Sequence, residues 1–190
     1  MLDAIVCEEW SGRFFSFNNT WDEESQMASG RNGSGDEYFM LFRGGECVFK
    51  QFLHELEPCS ETSEFLSAAE QAAPLSSGLL TAFIGEPAFS AGEISQLAWY
   101  GLDSQKWFDL QPVPIPKADS LLPMILSGSS AQYIAWANDY FEADLSQVAV
   151  QAIFEFAPLT AELVNRVNPA ADLSGVLADT REIGYPSEFE

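Results

Sequence analysis

The sequence predicts an α+β fold: an antiparallel sheet built from hairpins in the N-terminal part, packed by helices mostly from the C-terminal part. Three observations predict it. Hydrophobic residues make up 47% of the 190 residues and aromatic residues 13%, including fifteen Phe and five Trp. Each aromatic buried removes about 150–250 Å² from water, so this composition belongs to a packed core and not to a disordered chain. Short apolar runs parted by glycine-bearing turns fill the region before the proline-rich "QPVPIPKAD", and after Lys117 the apolar spacing becomes helical.

The elements follow in order. Leu2, Ile5, Val6 and Trp10 are spaced as one face of a short helix over 2–10. "RFFSF" (13–17) reads as a strand, and "NNTWDEESQMAS" as polar loop. "YFMLF" (38–42) and "CVFKQF" (47–52), joined by "RGGE", form a β-hairpin with a glycine turn. Phe65, Leu66, Ala69 and Ala73 share a helix face over 61–73, stopped by Pro74. "SGLLTAFIGEPAF" is a short helix or turn ending near Gly85, and "ISQLAWY" with "KWFDL" makes a second hairpin. Pro112, Pro114 and Pro116 cannot donate to a ladder, so that stretch is an edge or a connector.

Three helices then carry N-caps: Ser129 or Ser130 ahead of Tyr133, Trp136, Ala137, Tyr140 and Phe141; Ser146 ahead of Val148, Ala152, Ile153 and Phe156; and Thr160 ahead of Leu163, Val164 and Val167. Residues 172–179 suggest a fourth. The helix-rich region 117–190 needs something to bury its aromatic stripe, so one domain over 1–190 is expected, strand-rich over 1–116.

The chain carries 29 acids against 8 bases, a net charge of −21. The surplus is spread along it: 16 acids and 4 bases in residues 1–95, 13 and 4 in residues 96–190. Nucleic acid and anionic membranes are therefore excluded as partners, because they require phosphate neutralisation by Lys and Arg. A basic protein partner, cations, or a salty or acidic habitat all fit such a surface. Cys7, Cys47 and Cys59 show no CxxC pairing and read as reduced, small buried residues. "MLDAIVCEEW" has no basic-then-apolar leader, and no run reaches the eighteen apolar residues of a membrane span, so the expected location is cytoplasmic.

"SGRNGSGDEYFMLF" (29–42) is the most glycine-dense stretch, and it holds Arg31, one of few bases. A P-loop needs Lys after its last Gly and a helix beyond it; this loop has no Lys and runs into a strand. A calcium loop needs alternating carboxylates, whereas Asp36 stands with Glu37 alone. The remaining use is a turn in which Asn32-Gly33 and Ser34-Gly35 adopt positive φ, Asp36 accepts backbone N–H groups of its own loop, and Arg31 pairs with Asp36 or Glu86. A rigid glycine loop presenting an arginine is equally a recognition surface.

His54 is the only histidine, which excludes any metal site with two His ligands and leaves it as the best acid–base candidate. Glu86 in "GEPAF" lies between apolar residues and calls for Arg31, Arg43 or Lys50 as partner. Trp99, Tyr100 and Trp107 line an aromatic wall or pack the core. No G-x-S-x-G elbow is present, and carboxylate pairs are too abundant to diagnose glycosidic chemistry. No catalytic residue, metal site or cofactor is assigned.

Three segments, "MASGRNGSGDEYFMLF", "KQFLHE" and "GEPAF", together with "IGYP" (183–186), resemble an uncharacterised family of acidic single-domain bacterial proteins. That pattern runs Ser-Met-Arg-Asn-Gly-Ser-Gly-Asp, then Gly-Phe-Asp-His-Glu, then Glu-Pro-Ala-Phe; here Gly30 replaces the Met, and Gln51-Phe52-Leu53 departs from Gly-Phe-Asp. The resemblance implies a bacterial cytosolic setting, in mobile gene cassettes or immunity-protein-like loci, with no assigned activity. It singles out Arg31, Asp36, His54 and Glu86. Two functions are carried forward. The first is a non-enzymatic acidic binding protein that neutralises a basic protein. The alternative is a small-ligand-binding protein or enzyme with a pocket around Arg31, Asp36, His54 and Glu86, with Trp99 as a further recognition candidate. Self-association through an aromatic edge stays open.

Overall fold

A computed structural model describes residues 1–56, 78–110 and 128–188, together with 64, 66, 67, 71 and 75. Most of the helix expected over 61–73, the proline-bearing connector and Cys59 lie outside the described residues. The fold is α+β: strands come from the N-terminal part, and most helices from the C-terminal part. The chain forms two compact units, one of Met1–Asn19 with Leu122–Glu190 and one of Thr20–Leu121. The strand-rich 1–116 and helix-rich 117–190 regions do not coincide with these units.

The Thr20–Leu121 unit contains β2 (Ser25–Arg31), β3 (Glu37–Arg43), β4 (Glu46–Phe52), β5 (Gln96–Gly101) and β6 (Lys106–Leu110), each antiparallel to the next. The β3–β4 hairpin turns on Gly44 and Gly45, at φ +58° and +84°, between the paired Arg43 and Glu46. Two consecutive positive φ values suit the right-handed twist of the flanking strands and favour glycine at both positions. β2 is a strand where the polar composition of "SQMAS" predicts loop. Its Ser, Ala and Gly residues carry weak strand preference, and seven cross-strand pairs with β3 override it.

Side-chain alternation puts Met27, Phe39, Leu41, Val48, Leu97, Trp99, Phe108 and Leu110 into one core. The helix α2 (Leu79–Gly85) contributes Leu79, Leu80 and Phe83 to it, and the 3₁₀ turn Pro87–Phe89 contributes Phe89. Phe89 stacks on Phe83 at 4.7 Å between ring centroids. On the opposite face Tyr38 stacks on Phe49 at 6.0 Å. Tyr38 is also the cross-strand partner of Gly30. A Cβ built on Gly30 would lie 2.1 Å from Tyr38 Cε1, so glycine is required there by the ring that covers it.

The other unit holds α1 (Leu2–Val6), a 3₁₀ turn (Trp10–Gly12), β1 (Phe15–Asn18), α3 (Ser130–Tyr140), α4 (Gln147–Phe154), α5 (Ala161–Val167) and α6 (Leu173–Ile183). The expected caps are in place: Ser129, Ser146 and Thr160 accept from the N–H of Gln132, Ala149 and Leu163. Asp172 does the same for Ser174 and Gly175 at α6, which runs past the expected residue 179. The buried face of α4 is Ala149, Val150 and Ile153. Val148 and Phe156, expected inward, are exposed. Six of the eight residues of "QVAVQAIF" are apolar, so spacing alone does not choose the face.

A buried carboxylate ties this unit together. Asp3 accepts the N–H of Phe14 (3.1 Å) and Phe15 (2.8 Å) on one oxygen and the Tyr133 hydroxyl (2.6 Å) on the other. It therefore links α1, the approach to β1, and α3. Burial raises the Asp3 carboxyl above its ordinary 3.8 despite the Tyr133 bond, and pushes the Tyr133 phenol up as well. Arg13 adds a bidentate pair with Asp179 (2.9 and 2.8 Å) and donates to the carbonyls of Cys7 and Glu8. Cys7 and Cys47 are free thiols, and burial pushes the Cys47 thiol up to about 12. Among the described residues, no helix is long and apolar enough to cross a membrane.

Two predictions follow from this packing. Gly30→Ala should destabilise the chain by about 1–3 kcal/mol, the cost of forcing a side chain into a filled site, read as a lower midpoint in chemical denaturation. Combining it with Tyr38→Leu, which removes the covering ring, should return part of that loss. For Asp3, the folded state holds the proton more tightly than the unfolded chain. Its contribution is thus full below pH 3.8 and is lost as pH rises through the raised folded value. Asp3→Asn should flatten that segment of the stability–pH curve; an unchanged slope would contradict the assignment.

Candidate functional site

The glycine loop is built around Asn32. Its side-chain oxygen accepts the N–H of Ser34 (2.8 Å) and of Asp36 (3.1 Å), and its backbone N–H donates to the Asp36 carbonyl (3.2 Å). Gly33 and Gly35 take φ of +73° and +109°, conformations that L side chains rarely adopt. The sequence reading gave the role of backbone acceptor within the loop to Asp36; it belongs to Asn32. Asn32 closes an Asx turn two residues ahead, and one oxygen of the Asp36 carboxylate is left to reach outside the loop.

Asp36 reaches His54. One carboxylate oxygen accepts the His54 backbone N–H (3.0 Å) and contacts His54 Nδ1 (2.8 Å), while the other accepts the Asn32 amide (2.7 Å). The hairpin register brings them near: Glu37 pairs with Phe52, which continues outward to Leu53 opposite Asp36 and His54 opposite Gly35, so Asp36 meets His54 on the diagonal. A Cβ on Gly35 would lie 3.1 Å from His54 Cβ and Cγ, so glycine also admits the ring. The His54 side chain is 41% exposed. A carboxylate oxygen only accepts, so the Nδ1 contact is a donation from the imidazole to Asp36.

The other named residues are engaged elsewhere. The Arg31 guanidinium lies 5.9 Å from the centroid of the Phe39 ring. Glu86 caps the 3₁₀ turn by accepting the Ala88 N–H at 3.0 Å. Trp99 is 1% exposed, packed in the core and stacked on Phe108 at 5.6 Å. The structure thus brings Asp36 and His54 together and gives Arg31, Glu86 and Trp99 separate roles. Among the described residues, no group of three or more His, Cys, Asp or Glu is arranged to hold a metal ion.

The ion pair that lies deepest among the described residues of this unit carries no motif in the sequence. Lys50 sits inside β4 with its side chain 0% exposed. Its ammonium donates to Glu37 (3.1 Å) and to the carbonyls of Phe89 (2.9 Å) and Ser90 (3.0 Å). It also lies 5.7 Å from the Phe39 centroid. A signal was available: Lys50 falls two residues after the inward Val48 in "CVFKQF", so strand alternation turns it inward. The three acceptors tie β3, β4 and the 87–90 turn to one positive charge. Burial lowers the Lys50 pKa from 10.5, opposed by the Glu37 carboxylate.

Lys50→Met removes that charge and leaves the buried acceptors unpaired. It should cost about 3–5 kcal/mol, the range for breaking a buried pair from one side. The pH dependence has a defined sign. The unfolded chain holds the Lys50 proton more tightly, so stability rises as pH climbs through the lowered folded value towards 10.5. That rise should be absent in Lys50→Met, as read by denaturation at graded alkaline pH.

Comparison of the chain with protein-family models, with curated proteins and with solved structures returned no match.

Proposed function

We propose that the chain is a non-enzymatic acidic binding protein of the bacterial cytosol, and that it neutralises a basic protein. The observation that carries this reading is where the positive charges go. Of 8 bases against 29 acids, Arg13, Arg43 and Lys50 are held in internal ion pairs, with side-chain exposures of 9%, 20% and 0%. The acids they neutralise are Asp179, Asp22 and Glu37. Exposed carboxylates are distributed along both units, among them Glu8, Glu23, Glu93, Asp103, Asp139 and Glu162. A surface of one sign steers an oppositely charged partner and weakens as salt screens it.

The sequence likeness supplies the bacterial setting, and the charge supplies the partner class. Titration calorimetry with a basic peptide of alternating Lys and Ala checks the reading. Affinity should fall by tenfold or more between about 50 and 300 mM salt, because the Debye length shrinks from beyond 10 Å to well below it. Salt-independent binding, or none at low salt, would count against a basic partner.

A further inference from the structure

The helix α4 ends in an unusual residue. The N–H of Phe156 bonds to the Ile153 carbonyl (3.1 Å) and the N–H of Ala157 to the Ala152 carbonyl (3.0 Å), the two bonds of a Schellman ending. That ending places Phe156 at φ +57°, a left-handed position where glycine is preferred and a bulky side chain is strained. At the end of α6, Gly184 holds the equivalent position at φ +72°. Burial does not repay the strain, since Phe156 is 70% exposed, the most exposed large hydrophobic residue described.

The ring is nevertheless fixed. Phe156 stacks on Tyr185 at 5.8 Å with 13° between the planes. The Tyr185 hydroxyl lies 3.0 Å from both the Ile153 and the Ala157 carbonyls and shares its proton between them. The segment beyond it is pinned to the turn, with Leu159 N–H on the Pro186 carbonyl (2.8 Å) and Glu188 N–H on the Leu159 carbonyl (2.9 Å). Exposed carboxylates flank the step in the chain: Glu155 immediately before Phe156, and Glu188 three residues after Tyr185. A rigid exposed aromatic face on a chain with a large surplus of carboxylates suits a guanidinium, which stacks on rings and pairs with carboxylate. Strain kept at an exposed residue is found where the side chain has a use outside its own fold.

We infer that Phe156 and Tyr185 form the aromatic step on which an arginine of the basic partner docks. This rests on the basic-partner reading above and locates its contact.

Titration of the full chain with a nona-arginine peptide tests it, against Phe156→Gly and Phe156→Leu. Glycine suits the backbone of position 156, so Phe156→Gly keeps the fold while removing the ring. Arginine-peptide affinity should fall about threefold to tenfold in both variants, the loss expected for one cation–π contact. The slope of affinity against salt should stay that of the parent, because no charge is removed. Parent-like affinity in both variants would overturn the docking step and leave a basic partner standing. Failure of the parent chain itself to bind nona-arginine would overturn both.

Discussion

Positive charge is the scarce component of this molecule, and its internal placement organises both units. Lys50 is the clearest case. A bare ammonium in an apolar core is prohibitive, and this one is offset by a carboxylate and two backbone carbonyls. The carbonyls belong to the 87–90 turn, so that turn cannot leave the sheet without stripping the ammonium of two acceptors. Arg13 plays the matching part in the helical unit, joining the Asp179 carboxylate of α6 to the carbonyls that follow α1. Each cation fixes backbone to side chain in its own unit.

Much of this fold was legible in the sequence. The β3–β4 hairpin was readable because Gly44 and Gly45 demand a tight turn and the apolar runs on either side are unambiguous. The caps of three helices were readable because Ser and Thr oxygens satisfy N–H groups that a helix start leaves open; the Asp172 cap of the fourth works in the same way. β2 was not readable, because its strand state comes from neighbours and not from its own residues; Gly30 is accepted there since Tyr38 lies over it. The face of α4 was not readable because too many positions were apolar, and the position that ended up outside carries the strained Phe156.

The candidate residues show the same division. Asp36 and His54 are 18 residues apart, yet the hairpin register sets them one position off opposite each other, within side-chain reach. Their meeting was implicit once the hairpin was drawn. The role of Asn32 was harder to see, because Asn and Asp both close such turns, and only the loop's path decides which carries the backbone N–H groups. Glu86 was expected to need a cation. It found a backbone N–H, which satisfies a carboxylate at the start of a helical turn equally well.

The helical unit is assembled from two stretches of chain that lie far apart, Met1–Asn19 and Leu122–Glu190. During synthesis the first stretch leaves the ribosome long before the second. Leu2 and Ile5 then wait without Ala137, Val150 and Val176, the residues that share their core. Asp3 meets Tyr133 across 130 residues, and Arg13 meets Asp179 across 166. In the intervening Thr20–Leu121 unit the β2–β3, β3–β4 and β5–β6 hairpins close locally, and β4–β5 is the longer-range pairing that joins them. The strands of that unit have all been made by Leu110, whereas closure of the helical unit follows the emergence of its second stretch.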